Sequence, residues 1–161
     1  MNIGIIVYSQ TGNTLAVAQR IKDTCIAAGH TADVQQITVE NPHDSGHMSL
    51  VNAPSAEGYD ALILGAPVQA FSLCRAMTLY LRQLPKLKGV PAGYYITHGL
   101  PKLWMGGSRA YKSLRSLCLK KGAAPVQLGD VYWKSDQRDE LIAGVVSAAA
   151  KFAATATGTS K

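Results

Sequence analysis

Ile3-Gly4-Ile5-Ile6-Val7-Tyr8 runs directly into Ser9-Gln10-Thr11-Gly12-Asn13-Thr14. An apolar run of strand length gives way, without a spacer, to a small hydroxyl-rich loop that contains a glycine. From Leu15 to Ala28 the chain carries helix formers, with Ala18, Ile21, Cys25 and Ala28 on one face and Arg20, Lys22 and Asp23 around the rest. Strand, tight polar loop and helix in that order bring backbone N–H groups and hydroxyls to a helix N-terminus, where the aligned peptide dipoles favour an anion. The stretch reads as a phosphate-holding loop at the end of a buried first strand.

The same alternation recurs along the chain. Gly29 caps the first helix, and Thr31 to Val39 reads as a second strand. Glu40 to Gly58 is a long polar connection, broken by Pro42, Gly46 and Pro54, with room for at most one short helix. Tyr59 to Gly65 is a third strand, its Ala61-Leu62-Ile63-Leu64 run uninterrupted as in a strand covered on both faces. The loop Ala66 to Ser72 follows, then a helix with Leu73, Ala76, Met77, Tyr80, Leu81 and Leu84 on one stripe and Ser72 as its N-cap. A fourth strand, Val90 to Thr97, ends at His98-Gly99. A helix from Ser108 to Lys121, a fifth strand from Pro125 to Tyr132 and a helix from Asp136 to Ala154 complete a single domain over 1–154, and 155–161 reads as a frayed tail. Five such repeats, one with a degenerate helix, predict an α/β fold: a three-layer, doubly wound, five-stranded parallel sheet. In such sheets ligands lie beyond the carboxyl ends of the strands. Here that means the loops Ser9–Thr14, Ala66–Ser72 and His98–Gly107.

Composition narrows the setting. In 161 residues, 47% hydrophobic, no unbroken apolar run approaches the ~20 residues of a membrane helix, so no membrane role is expected. The first strand begins within three residues of Met1 without a charged leader, and Cys25, Cys74 and Cys118 are odd in number and far apart. These features predict no secretory signal, no disulfide framework and a reduced, cytoplasmic setting. The net charge of +6 is unevenly spread: Ala61 to Gly129 holds no Asp or Glu, yet carries Arg75, Arg82, Lys86, Lys88, Lys102, Arg109, Lys112, Arg115, Lys120 and Lys121. Such a field favours anionic partners, although a solvated helix surface reads equally well from charge alone.

The first loop lacks the lysine and spacing of a Walker A motif and is not G-x-G-x-x-G. It offers neutral donors: the hydroxyls of Ser9, Thr11 and Thr14, the Asn13 amide, and the backbone through Gln10 and Gly12. At every specified position it matches [ST]-x-T-G-x-T, the phosphate loop of the flavodoxin family, and its place after the first strand matches too. Together with the order of elements, the chain resembles that family over nearly its whole length.

The resemblance implies FMN, its phosphate on the first loop and its ring between the other two. The second would contribute Ala66, Pro67, Val68, Gln69, Ala70 and Phe71, and the third Thr97, His98, Gly99, Trp104, Gly106 and Gly107, with Trp104 and Phe71 as ring contacts. Flavodoxin electron carriers are typically acidic near the flavin, whereas these two loops lie in the acid-free interval. No glycine stands between Ala66 and Leu73, so the peptide turnover toward flavin N5 that such loops make costs more here. The resemblance thus leads to two functions: electron transfer through bound FMN with an anionic redox partner protein, or an FMN-dependent NAD(P)H oxidoreductase acting on a small acceptor.

Other features carry less. His43, Asp44 and His47 read as a solvated loop rather than a metal site, and Cys74 as structural rather than as a thiol activated by a helix N-terminus. His98 reads either as a donor to the pyrimidine edge of the ring or as a loop histidine bonded to backbone. Tyr8-Ser9 replaces the acidic pair of a phosphorelay receiver, and without an aromatic and basic reading surface nucleic acid is not an expected partner.

Overall fold

The structure, a computed structural model, describes residues 1–157. Strand β1 (Asn2–Val7) is central, and its side chains enter cores on both faces: Ile6 one, Ile3, Ile5 and Val7 the other. That two-sided burial is why the opening stretch is continuously apolar. With β2 (Thr31–Gln36), β5 (Ala61–Gln69), β7 (Pro91–His98) and β8 (Ala124–Tyr132) it forms a parallel sheet in the order β2-β1-β5-β7-β8. Helices α1 (Asn13–Ala27) and α4 (Arg138–Thr157) cover one face, and α2 (Arg75–Gln83) and α3 (Gly107–Lys120) the other. This is the expected three-layer, doubly wound α/β architecture. The chain reverses direction across β1, opening a crevice at the carboxyl ends of β1 and β5.

The connection after β2 differs from expectation. In place of a short helix, β3 (Thr38–Glu40) and β4 (Ser49–Asn52) pair as an antiparallel hairpin, with Val39 opposite Leu50. Val39, Met48 and Leu50 pack against the core beneath α2 and α3, so the hairpin fills the place of the degenerate helix. The expected second strand is interrupted at Ile37, which is buried and donates its N–H to the Val7 carbonyl at 2.8 Å.

The second ligand loop is also partly strand. β5 continues to Gln69 and folds back on β6 (Ser72–Leu73), leaving Ala70 and Phe71 as a two-residue turn with φ of 48° and 59°. Two left-handed residues in succession give the twist that closes a tight hairpin, normally supplied by Asn-Gly or Gly-Gly. Ser72 therefore belongs to β6 and Cys74 takes the N-cap of α2. Ala28, expected on the buried face of α1, is exposed, and Val17 is buried instead. By length and composition α4 is apolar enough to cross a membrane. Here it packs Ile142, Val145, Ala149 and Phe152 into the core, and it runs three residues past the expected Ala154. Of the expected tail, residues 158–161 lie outside those described.

Candidate functional site

The loop after β1 is built from below. Gly12, at φ 91°, is the N-cap of α1 and accepts from the Ala16 N–H at 3.0 Å. The Ser9 hydroxyl accepts the Leu15 N–H at 3.2 Å. Among the described residues the N–H groups of Gln10 to Thr14 have no protein acceptor. They open at the N-terminus of a 15-residue helix that has no acid in its first turn. This is an anion site by dipole and by unmet donors.

Thr14 and Thr97 form its floor, their buried hydroxyls 2.8 Å apart. Whichever hydroxyl donates, the other keeps its own proton for a ligand. The Tyr95 hydroxyl donates to the Thr14 carbonyl at 2.7 Å. It reaches there because Gly65, beside it on β5, has no Cβ: one would collide with the tyrosine ring and hydroxyl.

One cleft brings together Gln10, Thr11, Asn13 and Thr14 of the first loop, Pro67, Val68 and Gln69 of β5, and Thr97, His98 and Gly99 at the end of β7. Trp133 and Lys134, just beyond β8, complete its wall. The Gln69 amide donates to Gln10 Oε1 at 2.9 Å, tying two of the loops. A smaller recess continues over Val68, Ala70, Phe71, His98, Gly99, Leu100 and Met105, sharing Val68, His98 and Gly99 with the first. Phe71 and Trp104 stand 62% and 77% exposed, Phe71 on the recess wall and Trp104 on neither wall. Ala66 is buried beneath. Gly106 and Gly107 are buried too: a Cβ on Gly106 would meet the Phe71 backbone at 2.7 Å, and one on Gly107 the Leu103 side chain at 2.8 Å. The pair seats the third loop under the hairpin rather than facing a ligand.

His98 does not offer a nitrogen to the cleft. Its Nε2–H donates to Asp130 Oδ2 and its Nδ1–H to the Leu100 carbonyl, each at 2.6 Å. Acceptors at both nitrogens favour protons on both, so the surroundings stabilise the imidazolium form. Burial works against that charge, but the hydrogen bonds to Asp130 and Leu100 outweigh it and raise the His98 pKa. The His98 hydrogen bond lowers the Asp130 pKa against the effect of burial, and the Tyr111 hydroxyl adds a second donor at 3.1 Å. Both ring nitrogens of His98 are thus engaged by protein acceptors, one a backbone carbonyl and the other a carboxylate. The ring stacks on Tyr132, 13° from parallel.

Cys74 is buried, with its thiol pushed up to about 12 by desolvation, so it is not an activated nucleophile. Asp44 and His47 pair at 2.7 Å on the exposed connection, and no group of three or more potential metal ligands occurs among the described residues.

Sequence reasoning missed Trp133, Lys134, Tyr95 and Asp130. The only local signal was Tyr132-Trp133-Lys134, two aromatics and a cation ending the fifth strand. Because β8 lies beside β7, that end adjoins the third loop. Lys134 also supplies what the first loop lacks, a cation on the wall of the same cleft.

No protein-family model matches the chain, and no curated protein matches it in sequence. Solved structures do match it. A flavodoxin from Streptococcus pneumoniae TIGR4 superposes with a TM-score of 0.71 at 18% identity, over 96% of this chain and 99% of its own. The two-electron reduced flavodoxin of Megasphaera elsdenii gives 0.68 at 22% identity, over 92% and 98%. An oxidoreductase from Corynebacterium diphtheriae gives 0.68 at 16% identity, over 99% and 98%. The chain has the flavodoxin-like fold.

Proposed function

We propose that this protein binds FMN at the carboxyl end of its sheet and transfers electrons through it. The observation that carries the reading is the set of unmet N–H donors from Gln10 to Thr14, opening onto the cleft that the β5 and β7 ends also line. A phosphate dianion fits these donors, the α1 dipole and Lys134, while the Val68 and Met105 recess beside exposed Phe71 suits a flat apolar ring. When bound, FMN supplies a ring that accepts one or two electrons. The chain's part is to fix the phosphate, hold the loops around the ring and set the local charge.

Titration with FMN and with riboflavin, followed by quenching of flavin fluorescence, tests the assignment. Riboflavin lacks the phosphate, so FMN should bind about 100-fold more tightly, as expected for several charge-assisted hydrogen bonds. Equal affinities, or no flavin binding, would refute it.

The basic surroundings support a second reading, an FMN-dependent oxidoreductase that takes hydride from anionic NAD(P)H. Rapid bleaching of the bound flavin by NAD(P)H in a stopped-flow experiment selects this enzyme. Absence of bleaching leaves the carrier, whose redox partner is then an anionic protein.

A further inference from the structure

The outward side of α3 carries Arg109, Lys112, Ser116 and Lys120. Steps of three, four and four residues confine them to roughly an 80° arc at about 100° per residue, opposite buried Leu114 and Cys118. The row is about 16 Å long at 1.5 Å per residue. Along it runs a groove against α2, where Thr78 and Arg82 face Lys112, Ser113, Ser116 and Lys120.

Nothing on this face neutralises the cations. Residues 61–129 contain no acid, and among the described residues no Lys or Arg pairs with a carboxylate. Two nearby lysines are already committed: Lys86 donates to the Lys120 carbonyl and Lys121 to the Arg82 carbonyl, each at 2.7 Å, closing the ends of α3 and α2. The side chains of Arg82, Arg109, Lys112 and Lys120 have no hydrogen-bond partner among the described residues.

Directly before α3 the chain exposes Leu103 and Trp104, and Gly106, the helix N-cap, lies against the backbone of exposed Phe71. Aromatic anchors bordered by cations have the anatomy of a protein interface.

We propose that an acidic protein docks on this face, its apolar tip on Phe71, Leu103 and Trp104 and its carboxylates along the α3 row and into the α2–α3 groove. Carboxylates four residues apart on a partner helix repeat about every 6 Å, the spacing of Lys112, Ser116 and Lys120. A nucleic-acid duplex, its bases stacked inside, would leave the apolar end unused, and a flat membrane cannot enter the groove; a single strand, whose bases could stack there, is one arm of the test. Only the partner's role as electron donor or acceptor rests on the FMN reading; the surface itself does not.

The test uses a labelled helical peptide with glutamate at every fourth residue and a terminal tryptophan, with binding read by fluorescence anisotropy at low and physiological salt. Replacing Arg82, Lys112 and Lys120 together by glutamine should weaken binding about tenfold at low salt, the sum expected of three partly exposed pairs. Replacing Arg20, Lys22 and Lys151, on the α1–α4 face, removes equal charge and should change it less than twofold. Equal weakening by both sets, or absence of peptide binding, overturns the proposal. So does tighter, row-dependent binding of a 20-nucleotide single strand or of phosphatidylglycerol vesicles. FMN titration of the same proteins separates the two claims: peptide binding without flavin binding removes the electron-transfer role and supports the surface.

Discussion

The hydroxyls of Thr14 and Thr97 are 2.8 Å apart and buried, joining the first turn of α1 to the end of β7 across 83 residues of sequence. The contact makes one unit of the proposed phosphate loop and the strand beneath the ring. Thr14→Val and Thr97→Val should each cost about 1 kcal/mol of stability and weaken FMN binding. Because they share one hydrogen bond, the double variant should fall short of the sum by about 1 kcal/mol. Urea unfolding and flavin titration of all four proteins measure both quantities. Simple additivity would place the two hydroxyls in separate roles.

The His98–Asp130 pair predicts a pH profile. The His98 pKa is raised above 6.5, so its stabilisation is complete below that value and is lost as pH rises through the raised one. The Asp130 pKa is lowered below 3.8, so its stabilisation is complete above 3.8 and is lost as pH falls through the lowered one. The pair therefore contributes fully between about pH 4 and about pH 6.5. Wild type should lose more stability than His98→Gln between pH 5.5 and pH 9, and Asp130→Asn should cost about 1–3 kcal/mol at pH 6. Parallel pH profiles in wild type and His98→Gln would contradict the imidazolium.

Gly106 should be intolerant of alanine and Gly99 tolerant. At Gly106, φ is 114° and a Cβ would strike the Phe71 backbone at 2.7 Å. Gly106→Ala is expected to cost about 3 kcal/mol and to distort the hairpin. A Cβ at Gly99 meets nothing within 4 Å, so Gly99→Ala should stay within about 0.5 kcal/mol. Thermal or urea unfolding reads both.

The Ala70–Phe71 turn holds two side-chain-bearing residues in the left-handed region. Ala70→Gly should raise stability by about 1 kcal/mol, because the exposed methyl contributes little packing and its conformational penalty disappears. A destabilised variant would show that the surroundings of the turn, rather than its backbone, set its conformation.

What could be read in advance follows from how burial writes itself into sequence. Ile3 to Val7 and Ala61 to Leu64 are covered on both faces, so their strands appear as unbroken apolar runs. The β3–β4 hairpin leaves only a faint trace: Val39, Met48 and Leu50 turn inward between exposed Thr38, Glu40, Ser49 and Val51, but strands of three and four residues are too short for that alternation to stand out. The β5–β6 hairpin was hidden because its turn lacks the glycine or asparagine that marks such turns. At the site, the first loop was legible as a local motif. The orientation of His98 was not, because it is set by Asp130, 32 residues away on the neighbouring strand. Trp133 and Lys134 join the cleft through strand order alone.

The missing side chain at Gly65 makes the sheet interior a gauge for the ligand loop. Tyr95 occupies that gap and, through its hydroxyl, indexes the height of Thr14 and hence of the donors above it. A single methyl group added at residue 65, out of reach of any ligand, would shift the tyrosine and retune the anion site from within. In this protein the calibration of the binding loop rests on one absent carbon atom, whose place a tyrosine ring has taken.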